Sequence, residues 1–343
     1  MKKHSITKLS LAGLVLVASC ATEAPQPAPP PPPPPPPVVK APPPPFIPNN
    51  APASEHVRSL YNMAGLFPAF AEEARRAALN ENIINAAQIA NSIDRAPLLA
   101  RSETIDGAKA YSILAASMSA EFRAGITEIG TPMGREAFIA RLISDPSFVK
   151  TIPGYGNAKD LGAAAFSSRL QIITQSATSL NQASYDLQRQ AWSRTAVAKE
   201  PRLTALATSW NTPLQVTNFD GTNISTNGNS AQVINDRVMA AAALYIIRAD
   251  QEMIEMLQLG SMLQLGSGRS CAFRAYLNVR QCMSASKFPY EHTFCLSKHA
   301  QEEVKVCMTS EVGYPPPPPP PIVHAAAPIP KAKTTKTKAK KKR

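Results

Sequence analysis

The chain has 343 residues, 34 prolines and a net charge of +12, but three lysines lie in the first nineteen residues and eight basic groups in the last thirteen. The basic character therefore belongs to a leader and a tail, and the body between them is nearly neutral. No HExxH, GxSxG, Walker loop or Rossmann fingerprint occurs, so the motif-bearing classes of metalloprotease, hydrolase, NTPase and dehydrogenase drop out and no enzyme is expected.

Lys2, Lys3 and Lys8 precede an apolar stretch, Leu9–Ala18, broken only by Ser10 and Gly13. A basic start, a short apolar run and small residues at its end predict a secretory signal peptide. The run falls short of the roughly 20 residues that a spanning helix needs. Val17-Ala18-Ser19-Cys20 then resembles the bacterial lipobox: a branched aliphatic residue, two small residues and a cysteine. The resemblance implies that the Cys20 thiol receives a diacylglyceryl group, that residues 1–19 are removed by signal peptidase II, and that the new amino group is acylated. One acyl chain holds a protein to a membrane weakly, whereas two or three hold it firmly. Ala21 stands where the enterobacterial sorting rule places aspartate for inner-membrane retention. The expected location is therefore the outer membrane, facing the periplasm.

Sixteen prolines lie between Pro25 and Pro48, with an unbroken run from Pro29 to Pro37. Proline lacks the N–H and fixes φ, so such a run is predicted to be polyproline II and not helix or sheet. Residues 20–50 read as a lipidated stalk spanning up to about 90 Å. A docking site for a proline-binding module is the alternative.

The segment 51–260 is rich in Ala, Leu, Ile, Met, Ser and Gln, a composition that favours helices. One helix is predicted over Ser54–Leu79, divided at Pro68, and a second over Glu81–Ser92. A third covers Ile105–Ile129, with Tyr111, Leu114, Met118 and Phe122 spaced by three and four. Thr131-Pro132 reads as an N-cap and N1 pair opening a helix that ends near Asp145-Pro146. Pro153-Gly154 and Gly156 mark a turn. Phe166, Leu170, Ile173, Ala177, Leu180, Ser184, Leu187 and Ala191 then alternate steps of four and three, a heptad-like seam on a helix over Asn157–Arg194. Small residues on the seam favour packing within a bundle over a coiled-coil dimer.

Thr212–Ser230 is polar, and Asp220-Gly221 suits either a small hairpin or an exposed loop. A long helix is expected over Ala231–Leu259. Its apolar stretch Val238–Ile247 is too short for a membrane and reads as buried. Met256–Ser261 is nearly repeated by Met262–Ser267.

Four further cysteines, Cys271, Cys282, Cys295 and Cys307, fall in one segment, 261–310. An even number in an exported chain predicts two disulfides. Lys287-Phe288-Pro289 looks like the break between two short helices. If these run antiparallel, the pairing is nested, Cys271–Cys307 and Cys282–Cys295; crossed and sequential pairings stay open. The separations are eleven and twelve residues. Eleven return to one helix face while twelve end about 120° away, so one helix must fray or shift. The arrangement resembles the twin-cysteine helical hairpins of mitochondrial intermembrane proteins, whose cysteine spacing is shorter. His292, Cys295 and His299 share a helical face and form the alternative, a metal site. The absence of short CxxC pairs disfavours it, and no metal or cofactor is expected.

Residues 311–343 hold nine more prolines, then Lys331, Lys333, Lys336, Lys338, Lys340, Lys341, Lys342 and Arg343. Such a segment is disordered by composition and binds polyanions through counterion release. Without interleaved aromatics, and in an exported chain, nucleic acid is disfavoured; peptidoglycan and lipopolysaccharide are the candidates. The fold class expected is all-α: a helical bundle with a C-terminal disulfide-stapled helical hairpin, flanked by disordered Pro-rich and Lys-rich segments. The expected role is a non-enzymatic envelope tether or scaffold. The alternative is an adaptor or assembly factor whose helical body binds an envelope protein.

Overall fold

A computed structural model describes residues 55–78, 102–198, 200–211, 224–228, 232–263 and 268–313. Among these residues every regular element is helical, so the fold is all-α. No helix among them is long and apolar enough to cross a membrane. The helices are α1 (Glu55–Ala78), α2 (Ser102–Ala116), α3 (Ala120–Met133), α4 (Arg135–Ser144), α5 (Tyr155–Leu187) and α6 (Glu200–Asn211). There follow α7 (Asp236–Ile246), α8 (Asp250–Leu263), α9 (Gly268–Ala285), α10 (Pro289–Cys295) and α11 (Val304–Val312), the last two joined by a π-helical segment, Leu296–Glu303.

The 33-residue α5 organises the bundle. Its seam residues Phe166, Leu170, Ile173, Ala177, Leu180, Ser184 and Leu187 are all buried. They face α1, α2 and the C-terminal hairpin, so the seam closes within the chain. Phe67 of α1 stacks on Phe166 at 5.5 Å between ring centroids and meets Tyr111 of α2 edge-on at 5.7 Å. Truncating such a buried ring costs about 3–5 kcal/mol, transfer and cavity together. Small residues set the close approaches. A Cβ on Gly107 would lie 2.7 Å from the Met63 carbonyl oxygen, which leaves room only for glycine where α1 meets α2.

The alanine-rich α7 is buried from Val238 to Ile246, with Ala240–Ala243 wholly inaccessible. A helix apolar on every side belongs in a core, as its sequence predicted. Asn235 caps it by accepting from the Val238 N–H at 3.0 Å. The hairpin's Met283, Cys295, Leu296, Val304 and Met308 belong to the same apolar core as α1, α2 and α5.

Several expectations are corrected. Pro68 does not divide the first helix, which runs continuously from Glu55 to Ala78. Phe67 and Phe70 on either side of it are buried, and their packing holds the turn that proline weakens. The third predicted helix is two. Ser119 caps α3 by accepting from the Phe122 N–H at 3.3 Å, Arg123 Nε donates to the Ser117 carbonyl at 2.6 Å, and Met118 at the break is 53% exposed. Thr131-Pro132 does not open a helix but ends one. The Thr131 hydroxyl donates back to the Thr127 carbonyl at 2.6 Å, and Gly134, at φ +84°, separates α3 from α4. The predicted end at Asp145-Pro146 is where α4 stops.

Ala191 lies past the end of α5 and is exposed, so the seam stops at Leu187. The long helix predicted over Ala231–Leu259 is α7 and α8, broken at Arg248, which takes φ +58°. Arg135 of α4 supplies the reason: Nη1 donates to the Ile247 carbonyl and Nη2 to the Arg248 carbonyl at 2.9 Å, capping the end of α7. The predicted helix at Glu81–Ser92, the Asp220-Gly221 turn and the last four residues of the six-residue duplication, 264–267, lie outside the described residues.

Candidate functional site

The cysteines pair in the nested order, Cys271–Cys307 and Cys282–Cys295, with Cα–Cα distances of 5.7 and 5.6 Å. The turn between the two arms follows from its sequence. Phe288, preceding proline, is extended at φ −114° and ψ 150°, and Pro289 opens α10. Glu291 reaches back to accept from the Phe288 N–H at 3.0 Å and the Lys287 N–H at 2.5 Å.

The mismatch between eleven and twelve residues is resolved by the π-segment. Its i→i+5 bonds take up an extra residue, so twelve residues advance as eleven α-helical ones would. The residual rotation falls from about 120° to about 20°, and Cys295 and Cys307 share one face. The same segment buries Ser297 and Gln301 against α5. Ser297 Oγ donates to the Ala177 carbonyl at 2.7 Å. Ser176 Oγ lies 2.5 Å from the Ala74 carbonyl and 2.8 Å from Gln301 Oε1. One hydroxyl proton serves one of these acceptors. With the Gln301 amide turned so that its nitrogen faces Ser176, a relay from Gln301 through Ser176 to Ala74 satisfies both contacts and ties hairpin, α5 and α1 together.

The metal alternative fails on this geometry. Cys295 is in a disulfide, and His299 Nδ1 lies 2.8 Å from Glu303. His292, fully buried, accepts at Nδ1 from Arg202 Nη1 at 2.8 Å, since a guanidinium only donates.

At the tip of the hairpin, against the end of α5, lies a groove of about 410 Å³. Tyr185 and Gln188 line one side, and Cys282, Tyr290, Glu291 and Phe294 the other. Tyr185 is 54% and Phe294 37% exposed, unusual for large rings beside a core. Phe288 stacks on Tyr290 at 5.6 Å between centroids and backs that wall. A concave surface that combines three aromatic rings with the polar side chains of Ser184, Gln188, Ser286 and Glu291 suits a ligand that offers flat apolar faces and hydrogen-bond acceptors.

A second polar cluster joins α2 to α11. Lys109 Nζ lies 3.1 Å from Glu311 and 3.4 Å from Asp106, and the Lys109 and Glu311 side chains are only 5% and 2% exposed. Three charges converge beside a cavity of about 20 Å³, the size of one water. Their role is to fix the end of α11 on the bundle. Glu72, by contrast, pairs with Arg75 and Arg76 on the open face of α1; the Arg75 hydrogen bond holds its carboxyl below the usual range.

Of the residues singled out from sequence, the four cysteines come together as a staple, while Cys20 and Lys331–Arg343 lie outside the described residues. The groove aromatics had only a weak sequence signal: Tyr185 sits beside the seam, and Tyr290 and Phe294 are four apart after a helix-opening proline. No protein-family model, curated protein or solved structure matches the chain.

Proposed function

We propose that the chain is a lipid-anchored envelope protein, held by Cys20 in the outer membrane and facing the periplasm, that tethers or scaffolds by contacting an anionic envelope polymer through Lys331–Arg343. The carrying observation is the polarity of the sequence: a lipobox at one end, eight basic groups at the other, and a Pro-rich spacer on each side of a helical body. The two staples suit a body that must stay folded in an oxidising compartment. Peptidoglycan carboxylates and lipopolysaccharide phosphates are the polymers whose charge fits the tail, and attraction of this kind weakens as salt rises.

The test is co-sedimentation with purified sacculi, comparing intact protein with protein lacking Lys331–Arg343, at low and high salt. Loss of salt-sensitive pelleting on removal of the tail supports the tether. Equal pelleting of both proteins removes the tail from the mechanism. A Cys20→Ser variant should leave the membrane fraction, and its retention there would sink the anchor.

An adaptor role is the second reading. The α5 seam offers no surface for it, because that seam is buried. The aromatic groove takes its place as the surface for a protein partner.

A further inference from the structure

We propose that the groove at the hairpin tip is a docking site for polyproline II backbone, and that its occupant is Pro315–Pro321 of the same chain. This goes beyond the tethering role and does not depend on it.

The groove's chemistry selects this ligand class. Tyr185, Tyr290 and Phe294 present rings from two separate elements around a groove of about 410 Å³. Aromatic-lined grooves accept polyproline II because prolyl rings pack flat on aromatic faces and the ligand is already ordered, so little entropy is lost on docking. A proline run also has a distinctive polar side: a carbonyl at every residue and no N–H. It needs donors and offers none. The phenols of Tyr185 and Tyr290 and the amide of Gln188 are donors at the groove, and all three residues line it.

Reach identifies the segment. The described body ends at Gly313, and Tyr314 leads directly into seven consecutive prolines. Going back along the helical arm from Gly313 to Phe294 is 19 residues, at most about 28 Å at α-helical rise. Tyr314–Pro321 measures about 25 Å at 3.1 Å per residue. Laid along α11 and the π-segment, the run ends within about 3 Å of the level of Phe294, which puts its last prolines at the mouth of the groove.

The experiment uses the full chain with Phe294 replaced by the photo-cross-linker p-benzoylphenylalanine. After irradiation, monomeric and dimeric products are separated and the adducts mapped by mass spectrometry. The expected result is an adduct within Pro315–Pro321 in the monomer. It should fall about tenfold in a Tyr185→Ala/Tyr290→Ala background whose circular dichroism is unchanged. It should vanish when Pro315–Pro321 is replaced by a Gly-Ser segment of equal length, a change that alters no residue of the described helices. Adducts confined to the dimer overturn the same-chain occupant, and adducts mapping to Pro29–Pro37 overturn the choice of segment. The absence of any proline adduct, or an adduct undiminished by the Tyr185→Ala/Tyr290→Ala change, overturns the docking site itself.

Discussion

Deleting Glu302 should leave both disulfides intact, although it removes a residue from between two bonded cysteines. Glu302 lies within the π-segment and makes an exposed ion pair with Lys298, at 43% and 46% side-chain exposure. If the segment holds one residue more than an α-helix would, the deletion converts it to α-helix. Cys295 and Cys307 are then eleven residues apart and about 20° out of phase, matching Cys271 and Cys282. Removing Gln281 from α9 is the opposite case. That helix has no π-segment, so ten residues would leave its cysteines about 80° apart, and one bridge should be lost.

The stakes follow from loop closure. The outer bridge spans a separation of 36 residues, shortened in effect by the inner bridge at 13. Its loss costs about 3.5 kcal/mol in the chain-entropy treatment. In a body of this size that lowers the melting temperature by about 7–14 °C. The assay is thiol alkylation under denaturing conditions with mass spectrometry, followed by thermal unfolding. Two free thiols after deletion of Glu302, or none after deletion of Gln281, would refute the phase argument.

Three further outcomes are expected. Lys109→Met leaves the Glu311 charge buried without its cation, and urea unfolding should register a loss of about 3–5 kcal/mol, largely recovered when Glu311→Gln is added. Arg135→Met should destabilise by about 2 kcal/mol through loss of the cap on α7, and hydrogen exchange should rise at the α7–α8 junction before it rises elsewhere. Burial, and then the hydrogen bond to Tyr61 at 2.9 Å, raise the Tyr245 phenol above its ordinary 10.0. Below that pH both folded and unfolded states hold the proton. Above it the unfolded chain loses the proton first, so stability falls as pH rises. Tyr245→Phe should flatten that alkaline loss in unfolding curves taken on either side of pH 10.0.

What was legible in the sequence was what depends on spacing within one element. The α5 seam, the buried α7 stretch and the cysteine hairpin all declare themselves through intervals of three, four and eleven. The breaks were harder to read, because most are made by residues far away or by small polar choices. Nothing near Arg248 announces a left-handed residue; the guanidinium that stabilises the break comes from Arg135, 112 residues before Ile247. Ser119 is a cap only because the chain turns there, and Thr131-Pro132 matches a helix start while serving as a helix end. The twelve-residue interval did reveal that something had to shift, but not that a π-segment would do it. The groove was not legible, since Tyr185 and Phe294 meet only after α5 and the hairpin pack together.

The far end of the last helix is tied down in an informative way. Asn235 donates its side-chain amide to the Glu311 carbonyl at 2.8 Å and its backbone N–H to the Val312 carbonyl at 3.0 Å, and Ile234 bridges Gly313. Any tension on the segment that starts at Tyr314 therefore enters the molecule beside its most buried helix. If those bonds gave way, only residues 308–313 could pay out, some 20 Å of chain, before the load met the covalent link from Cys307 to Cys271. Beyond that point the disulfide passes the force directly to Cys271, and the loop between the two cysteines, a separation of 36 residues, is bypassed: the hairpin acts as a splice in the line of pull, and any further lengthening must come from the uncross-linked helices before Cys271.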